Sequence, residues 1–331
     1  MRQSWFPFLL GLLFLVAIIQ QGNTLGRQMT ENNSSPEPVA TGNSGTLWHG
    51  TNHLQIPFGT AQGNLAWYGY ELIANTSFYL GPKGTAGQIS NAMNCQNCHL
   101  GAGTLPFANN FGKVYATYPQ FRSRSNKVQS IYGRINDCLE RSMNGKLLDT
   151  ASLEIRAMYA YIQWLGQDVP KGNNPAGTGV PKLEYINRAA SPDEGKKVYV
   201  ATCQSCHGAN GQGQPNVGGT GYIYPPLWGA GSYNDGAGLY RLSSFAGFVK
   251  YNMPFGADYN KPQLTTEEAW DVAAFVNSQP RPHKDQSMDW KNIRLKPADV
   301  PFGPYPDSFS TQQHKYGPYK PIIEAAKRRG N

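Results

Sequence analysis

Cys95-Gln96-Asn97-Cys98-His99 and Cys203-Gln204-Ser205-Cys206-His207 are two copies of one pattern in a single chain of 331 residues. Both read C-x-x-C-H, the attachment signature of a c-type haem. Two thiols at this spacing add to the vinyl groups on one porphyrin edge, and the adjacent histidine reaches the iron from one side. A zinc site, a redox dithiol or a disulfide pair are the alternatives, and two matches in one exported chain weigh against them. The reading is two covalently bound c-type haems. Cys95, Cys98, Cys203 and Cys206 attach them, and His99 and His207 are the proximal ligands.

The rest of the composition agrees with a chain that borrows its core from a prosthetic group. Gly (37) and Pro (24) together exceed the usual ~12% share, so loops and turns abound. That excludes a coiled coil or a long-helix bundle. Charged residues make up 15%, below the usual ~25%, while the 12% of aromatic residues excludes disorder. The net charge is +8. Yet the only basic run is Lys327-Arg328-Arg329, with no nucleic-acid-binding module beside it, so no nucleic-acid partner is expected.

Export is read from the amino terminus. Arg2 precedes an uncharged, mostly apolar stretch from Trp5 to Ile19. A helix of that length spans only ~23 Å, short of a ~30 Å hydrocarbon core. That favours a secretory signal. The following Gln20-Gln21-Gly22-Asn23-Thr24-Leu25-Gly26 has no A-x-A site, which keeps an uncleaved membrane anchor open. Either way the location is periplasmic. Residues 1–26 are thus signal or anchor and 27–45 a polar tether. Residues 46–170 form a first haem unit, 171–181 a Gly/Pro/Asn-rich linker, 182–280 a second haem unit and 281–331 a tail lying over both.

The two units repeat in pattern. Each has a helix ahead of its motif, Leu65 to Ala74 and Pro192 to Thr202, and each ends in an amphipathic helix. The first closing helix is Ser152 to Leu165, with Ile155, Met158, Tyr159, Ile162 and Leu165 at helical spacing. The second is Thr266 to Asn277, introduced by the capping sequence Thr265-Thr266-Glu267-Glu268. The fold class is therefore mainly α and loop-rich: two cytochrome c-type domains in tandem, each around one covalent haem.

In such a unit the distal ligand comes from the loop before the closing helix. Met253, followed by Pro254, fits for the second haem, and a thioether raises its potential. Asn252 beside it is either a partner of the sulfur or incidental. His49, His53, His283 and His314 are other ligands in principle. In the first unit the equivalent region holds Cys138 and Met143, and Cys138 better matches the spacing of Met253 to its closing helix. Cys138 is also the one cysteine outside the motifs. Lys127 to Ser142 reads as a helix with Val128, Ile131, Ile135 and Leu139 on one face. Arg134, Cys138 and Ser142 then form a single stripe. Arg141, Arg122 and Arg124 are near in sequence. Guanidinium groups stabilise a thiolate and also bind anions through a planar fork of donors. A buried inert cysteine with arginines on a solvated face is the plain alternative.

The run Arg134-Ile135-Asn136-Asp137-Cys138-Leu139-Glu140-Arg141-Ser142-Met143-Asn144-Gly145 resembles that of thiosulfate dehydrogenases of the TsdA family. So does the chain from about 46 to 280, with its Asn252-Met253-Pro254 and closing Phe275-Val276-Asn277-Ser278-Gln279-Pro280-Arg281-Pro282. The resemblance implies an enzyme that joins two thiosulfates into tetrathionate with release of two electrons. It implies His99 and Cys138 as ligands of an active-site haem, and His207 and Met253 as ligands of an electron-exit haem. By position relative to Cys138, it assigns substrate binding to Arg124, Arg134 and Ser142. Some members carry a lysine where this chain has Asn252, so ligand switching is not carried over. The acceptor would be a small exported cytochrome c or another high-potential carrier.

Elementary chemistry runs the same way. Two unit charges 4 Å apart repel by about 4 kcal/mol at an effective dielectric of 20, so two dianions need arginines beside them. A soft thiolate both ligates iron and bonds sulfur. It lowers the first haem's potential while Met253 keeps the second higher, so electrons run downhill between them. The same site run backwards is a tetrathionate reductase. A dihaem cytochrome peroxidase and a plain dihaem electron-transfer cytochrome are the readings that do without the arginine–cysteine site.

Overall fold

A computed structural model describes residues 47–330. The expected signal or anchor and the polar tether lie outside these residues. Among the described residues no helix is long and apolar enough to cross a membrane.

The first half is carried by α1 (Ala61–Ala74), the hairpin β1 (Gln120–Arg122) and β2 (Lys127–Gln129), α2 (Ile131–Arg141) and α3 (Leu153–Gly166). Helix starts are set by hydroxyl caps. Thr60 accepts from Gly63 N–H, Ser130 from Gly133 N–H and Ser152 from Ile155 N–H. The second half has α4 (Pro192–Val198), which runs through a π turn (Tyr199–Cys203) into the short helix Gln204–His207. The ribbon β3 (Gln214–Pro215) and β4 (Tyr222–Tyr224) follows, then α5 (Leu242–Asn252) and α6 (Thr266–Ser278). α6 opens with a reciprocal capping box between Thr265 and Glu268.

One device recurs in both halves. α1 crosses α3 at Gly69, where a Cβ would stand 1.9 Å from the Ala157 carbonyl oxygen and 2.9 Å from Tyr161 Cβ. α4 crosses α6 at Gly195, where a Cβ would stand 1.9 Å from the Asp271 oxygen and 2.9 Å from Phe275 Cβ. In each crossing the glycine meets residues four apart on the closing helix, so only a residue without a side chain lets the backbones approach. Leu72, Ile155 and Met158 fill the core beside the first crossing; Trp270, Val272 and Val276 do so beside the second.

Two sequence expectations are corrected. Lys127–Gln129 is a strand, not the first turn of the cysteine helix. It pairs antiparallel with β1, with Phe121 opposite Val128, and Ser130 then caps α2. Val128 is 70% exposed, so the apolar face runs only through Ile131, Ile135 and Leu139. The tail, whose sequence has aromatic residues but little periodicity, is helical at its end. It forms α7 (Thr311–Tyr316) and α8 (Lys320–Arg328), and Tyr316, Tyr319 and Ile322 enter the second core. Its earlier part reaches the first half, where Asp289 accepts two 2.8 Å hydrogen bonds from Arg141. Breaking such a buried pair by removing one partner costs about 3–5 kcal/mol.

Candidate active site and electron route

His99 sits directly after the 3-10 turn Cys95–Asn97, which presents the two thiols and the imidazole together. Its Nδ1 faces the Asn109 carbonyl; His207 Nδ1 faces that of Pro225 at 2.9 Å. Each carbonyl fixes the proton on Nδ1 and leaves Nε2 free to bind a metal. Burial pushes the His99 imidazole down to about 4 and lowers that of His207, so both rings are held neutral, the form that binds metal.

A cavity of about 220 Å³ lies between Cys95, Cys98 and His99 on one side and α2 and α3 on the other, with Ile135, Leu139, Met158 and Ile162 among its apolar lining. Cys138 and Met143 both reach it. Two thiols and an imidazole on one wall, an apolar interior and sulfur opposite are a donor set that fits a c-type haem. The second cavity, about 560 Å³, has Cys203, Cys206, His207 and Met253 in its lining, together with Met93, Gln96 and Cys98 of the first half. Met253 is extended at the end of α5 (φ −137°, ψ 152°). Asn252 is bonded elsewhere: its amide donates to the carbonyls of Phe248 (2.9 Å) and Phe107 (3.3 Å).

The other imidazoles and Met288 stand away from both cavities. His49 is exposed, His53 stacks on Tyr70 at 4.0 Å, and His283 pairs with Asp235 at 2.7 Å. His314 is held between Ala298 O and Asp307, and Met288 is 66% exposed. Met253→Gly is therefore expected to lower the potential of one haem in a spectroscopic redox titration and to abolish the weak near-infrared sulfur-to-iron band. Unchanged potentials and an unchanged band would place that ligand elsewhere.

A third cavity, of about 310 Å³ and polar, adjoins the first and shares Cys98, His99, Arg122, Arg134, Cys138 and Ser142 with it. Arg124 and Arg141 line it as well. The structure thus brings Arg124, Arg134, Cys138 and Ser142 to one place, with Ser142 as the C-cap of α2, one turn past Cys138. The opposite wall was not legible beforehand: Tyr233, Arg241 and Ser244 come from the second half. No spacing rule links them to Cys138; only the packing of the two halves does.

The arginines are not equivalent. Arg141 is paired with Asp289 and Arg241 with Asp299 (2.6 Å). Arg124 donates to Gly236 O at 3.1 Å and lies 4.0 Å from Asp289. Burial and the Arg141 charge push its guanidinium down to about 10, partly offset by Asp289. Arg122 and Arg134 make no salt bridge among the described residues. The Cys138 sulfur raises the Arg134 guanidinium above its ordinary value, against burial. The Cys138 thiol and two arginines without a salt bridge among the described residues thus meet in a cavity that Cys98 and His99 also line.

Comparison with known proteins agrees. Residues 85–170 match the SoxA/TsdA cytochrome c domain and residues 192–280 the cytochrome c domain. The thiosulfate dehydrogenase of Allochromatium vinosum is 42% identical over 198 residues, which is 59% of this chain and 72% of that protein. This chain belongs to the thiosulfate dehydrogenase family. The Psychrobacter arcticus thiosulfate dehydrogenase is 41% identical over 205 residues, 62% of this chain. Among solved structures, the family's TsdBA from Marichromatium purpuratum superposes with a TM-score of 0.66 at 31% identity, over 72% of this chain. The chain spans 61% of the Psychrobacter protein and 50% of the TsdBA chain. As a family member with two cytochrome c domains, it carries two covalent c-type haems.

Proposed function

We propose that this chain oxidises two thiosulfates to tetrathionate in the arginine-lined cavity and delivers two electrons to an external acceptor through its second half. The observation that carries the reading is the convergence of Cys138, Arg122 and Arg134 on one cavity that shares Cys98 and His99 with a C-x-x-C-H wall. In this reading Cys95 and Cys98 would attach the first haem, and His99 and, between turnovers, Cys138 would hold its iron. Cys203 and Cys206 would attach the second, with His207 and Met253 as axial ligands. Each bound haem supplies a one-electron acceptor, so two of them match a two-electron sulfur oxidation.

The chain's own residues do the rest. Arg134 and Ser142 hold one thiosulfate against Cys138, and Arg122 and Arg124 hold the other. The Cys138 thiolate bonds the outer sulfur of the first anion, giving a cysteine S-thiosulfonate and two electrons. The outer sulfur of the second thiosulfate then attacks the sulfane sulfur of this adduct. Tetrathionate forms and the Cys138 thiolate leaves, so charge and atoms balance with no proton consumed. The arginines offset the repulsion between the anions. Cys98 lines all three cavities, so the site of oxidation and the exit site share one residue.

The work takes place in the periplasm. The first haem unit is the active-site domain and the second the electron-exit domain, joined by residues 171–181. The acceptor is a small exported cytochrome c or another high-potential carrier. The test is the stoichiometry of the two-haem protein with ferricyanide: two thiosulfates consumed and two electrons accepted per tetrathionate. Thiosulfate that reduces neither haem nor acceptor would leave only a plain electron-transfer cytochrome.

A further inference from the structure

The arginine-lined cavity contains more positive charge than a readily released anion needs, and the tail holds part of it in check. We infer that Asp289, carried in by the tail, is a positioning residue that supplies the counter-charge limiting how tightly the cavity binds anionic substrate and product. The inference rests on the thiosulfate reading above.

Its carboxylate stands behind two cavity-lining arginines. It accepts from Arg141 Nη1 and Nη2, both at 2.8 Å, and Oδ2 is 4.0 Å from Arg124 Nε. Its side chain is 9% exposed, so water does little to screen it. The residue is also held in place. Trp290 N–H donates to Arg124 O at 2.7 Å, and the Arg124 guanidinium lies 5.7 Å from the Trp290 ring centre. A few residues earlier, Lys284 pairs with Glu140 on α2 at 2.9 Å. Asp137, a carboxylate in the cavity lining, already accepts from Gln129 at 2.8 Å, and Asp299 pairs with Arg241. Arg141 Nε is buried without a hydrogen-bond partner among the described residues, so this guanidinium is only partly satisfied by Asp289.

Two thiosulfates bring four negative charges into the cavity; tetrathionate carries away two, and the other two leave as the electrons of the oxidation. A cavity with every arginine unpaired would hold the leaving dianion too well. Asp289 turns Arg141 away from full engagement while keeping it and Arg124 in register with Arg134.

Asp289→Asn keeps the shape and removes the charge. In the two-haem protein, the KM for thiosulfate is expected to fall roughly three- to tenfold, and inhibition by added tetrathionate to tighten by a similar factor. Both should fade in high salt. A merely structural role would raise KM instead, because the arginines would lose their anchor. Asp289→Glu keeps the charge and should keep the wild-type KM. Lys284→Met loosens the strap at its other tie, leaves the carboxylate in place and should also leave KM unmoved. An Asp289→Asn KM at or above the wild-type value overturns the inference. Should that variant not accumulate, a lowered KM in Asp289→Glu overturns it equally. Absence of thiosulfate turnover in the wild-type protein would overturn the proposed function itself, a separate result.

Discussion

Cys138→Ala should keep both haems and the fold and lose thiosulfate oxidation, with kcat reduced at least about a thousandfold. The attachment cysteines are untouched, and Cys138 lines the cavity without belonging to the hydrophobic core of its half. The informative companion is Cys138→Met. A thioether restores a sulfur ligand across the cavity from His99 but cannot form the S-thiosulfonate. Its absorption spectrum should therefore show a six-coordinate first haem while turnover stays as low as in Cys138→Ala. Full activity in the methionine variant would remove the nucleophile role. Substantial activity in the alanine variant would remove the whole site.

Arg134 comes next in expected effect. Its guanidinium is beside the Cys138 sulfur and makes no salt bridge among the described residues. Arg134→Ala removes a charge-assisted hydrogen bond to the anion, worth about 1.5–3 kcal/mol, so kcat/KM should fall roughly 10- to 150-fold. Most of the loss should appear in KM, because the reacting sulfur remains. Arg134→Lys should recover only part of it, since an ammonium supplies a point charge and not a fork. A kcat that collapses at unchanged KM would mean that Arg134 acts on the thiolate and not on the substrate. Raising salt should weaken the wild type toward the variant, because screening attacks the same interaction.

The tandem cytochrome architecture was legible because its signals are local. C-x-x-C-H is contiguous, and the closing helices announce themselves by hydroxyl caps and an apolar period. The helix at Lys127–Gln129 was misread because Val128 continues the period of Ile131 and Ile135, while the strand comes from pairing with Phe121, which no period reveals. The cysteine stripe survived the correction because Arg134, Cys138 and Ser142 all lie beyond the Ser130 cap. The far wall of the polar cavity stayed hidden for a different reason. Tyr233, Arg241 and Ser244 reach the cavity of Arg124 and Arg141 only through long-range packing, and their neighbours in sequence say nothing of it. In the tail, Tyr316, Tyr319 and Ile322 are too few apolar residues among Lys, Arg and Pro to mark a helix by period alone.

The paired glycine crossings reach beyond packing. Replacing a helical glycine with alanine ordinarily strengthens the helix by about 1 kcal/mol. At Gly69 and Gly195 the sign reverses, because the added carbon lands on a carbonyl oxygen 1.9 Å away. Each half is thus built to the same gauge, and whatever lies between the crossing and the haem motif is free to vary. In the second half α4 leads almost directly into Cys203; in the first, the short helix Thr76–Leu80 and a loop intervene before Cys95. A repeated layout with one shared joint can carry longer loops in one half without disturbing the other. That is how two halves with different loops come to share one blueprint.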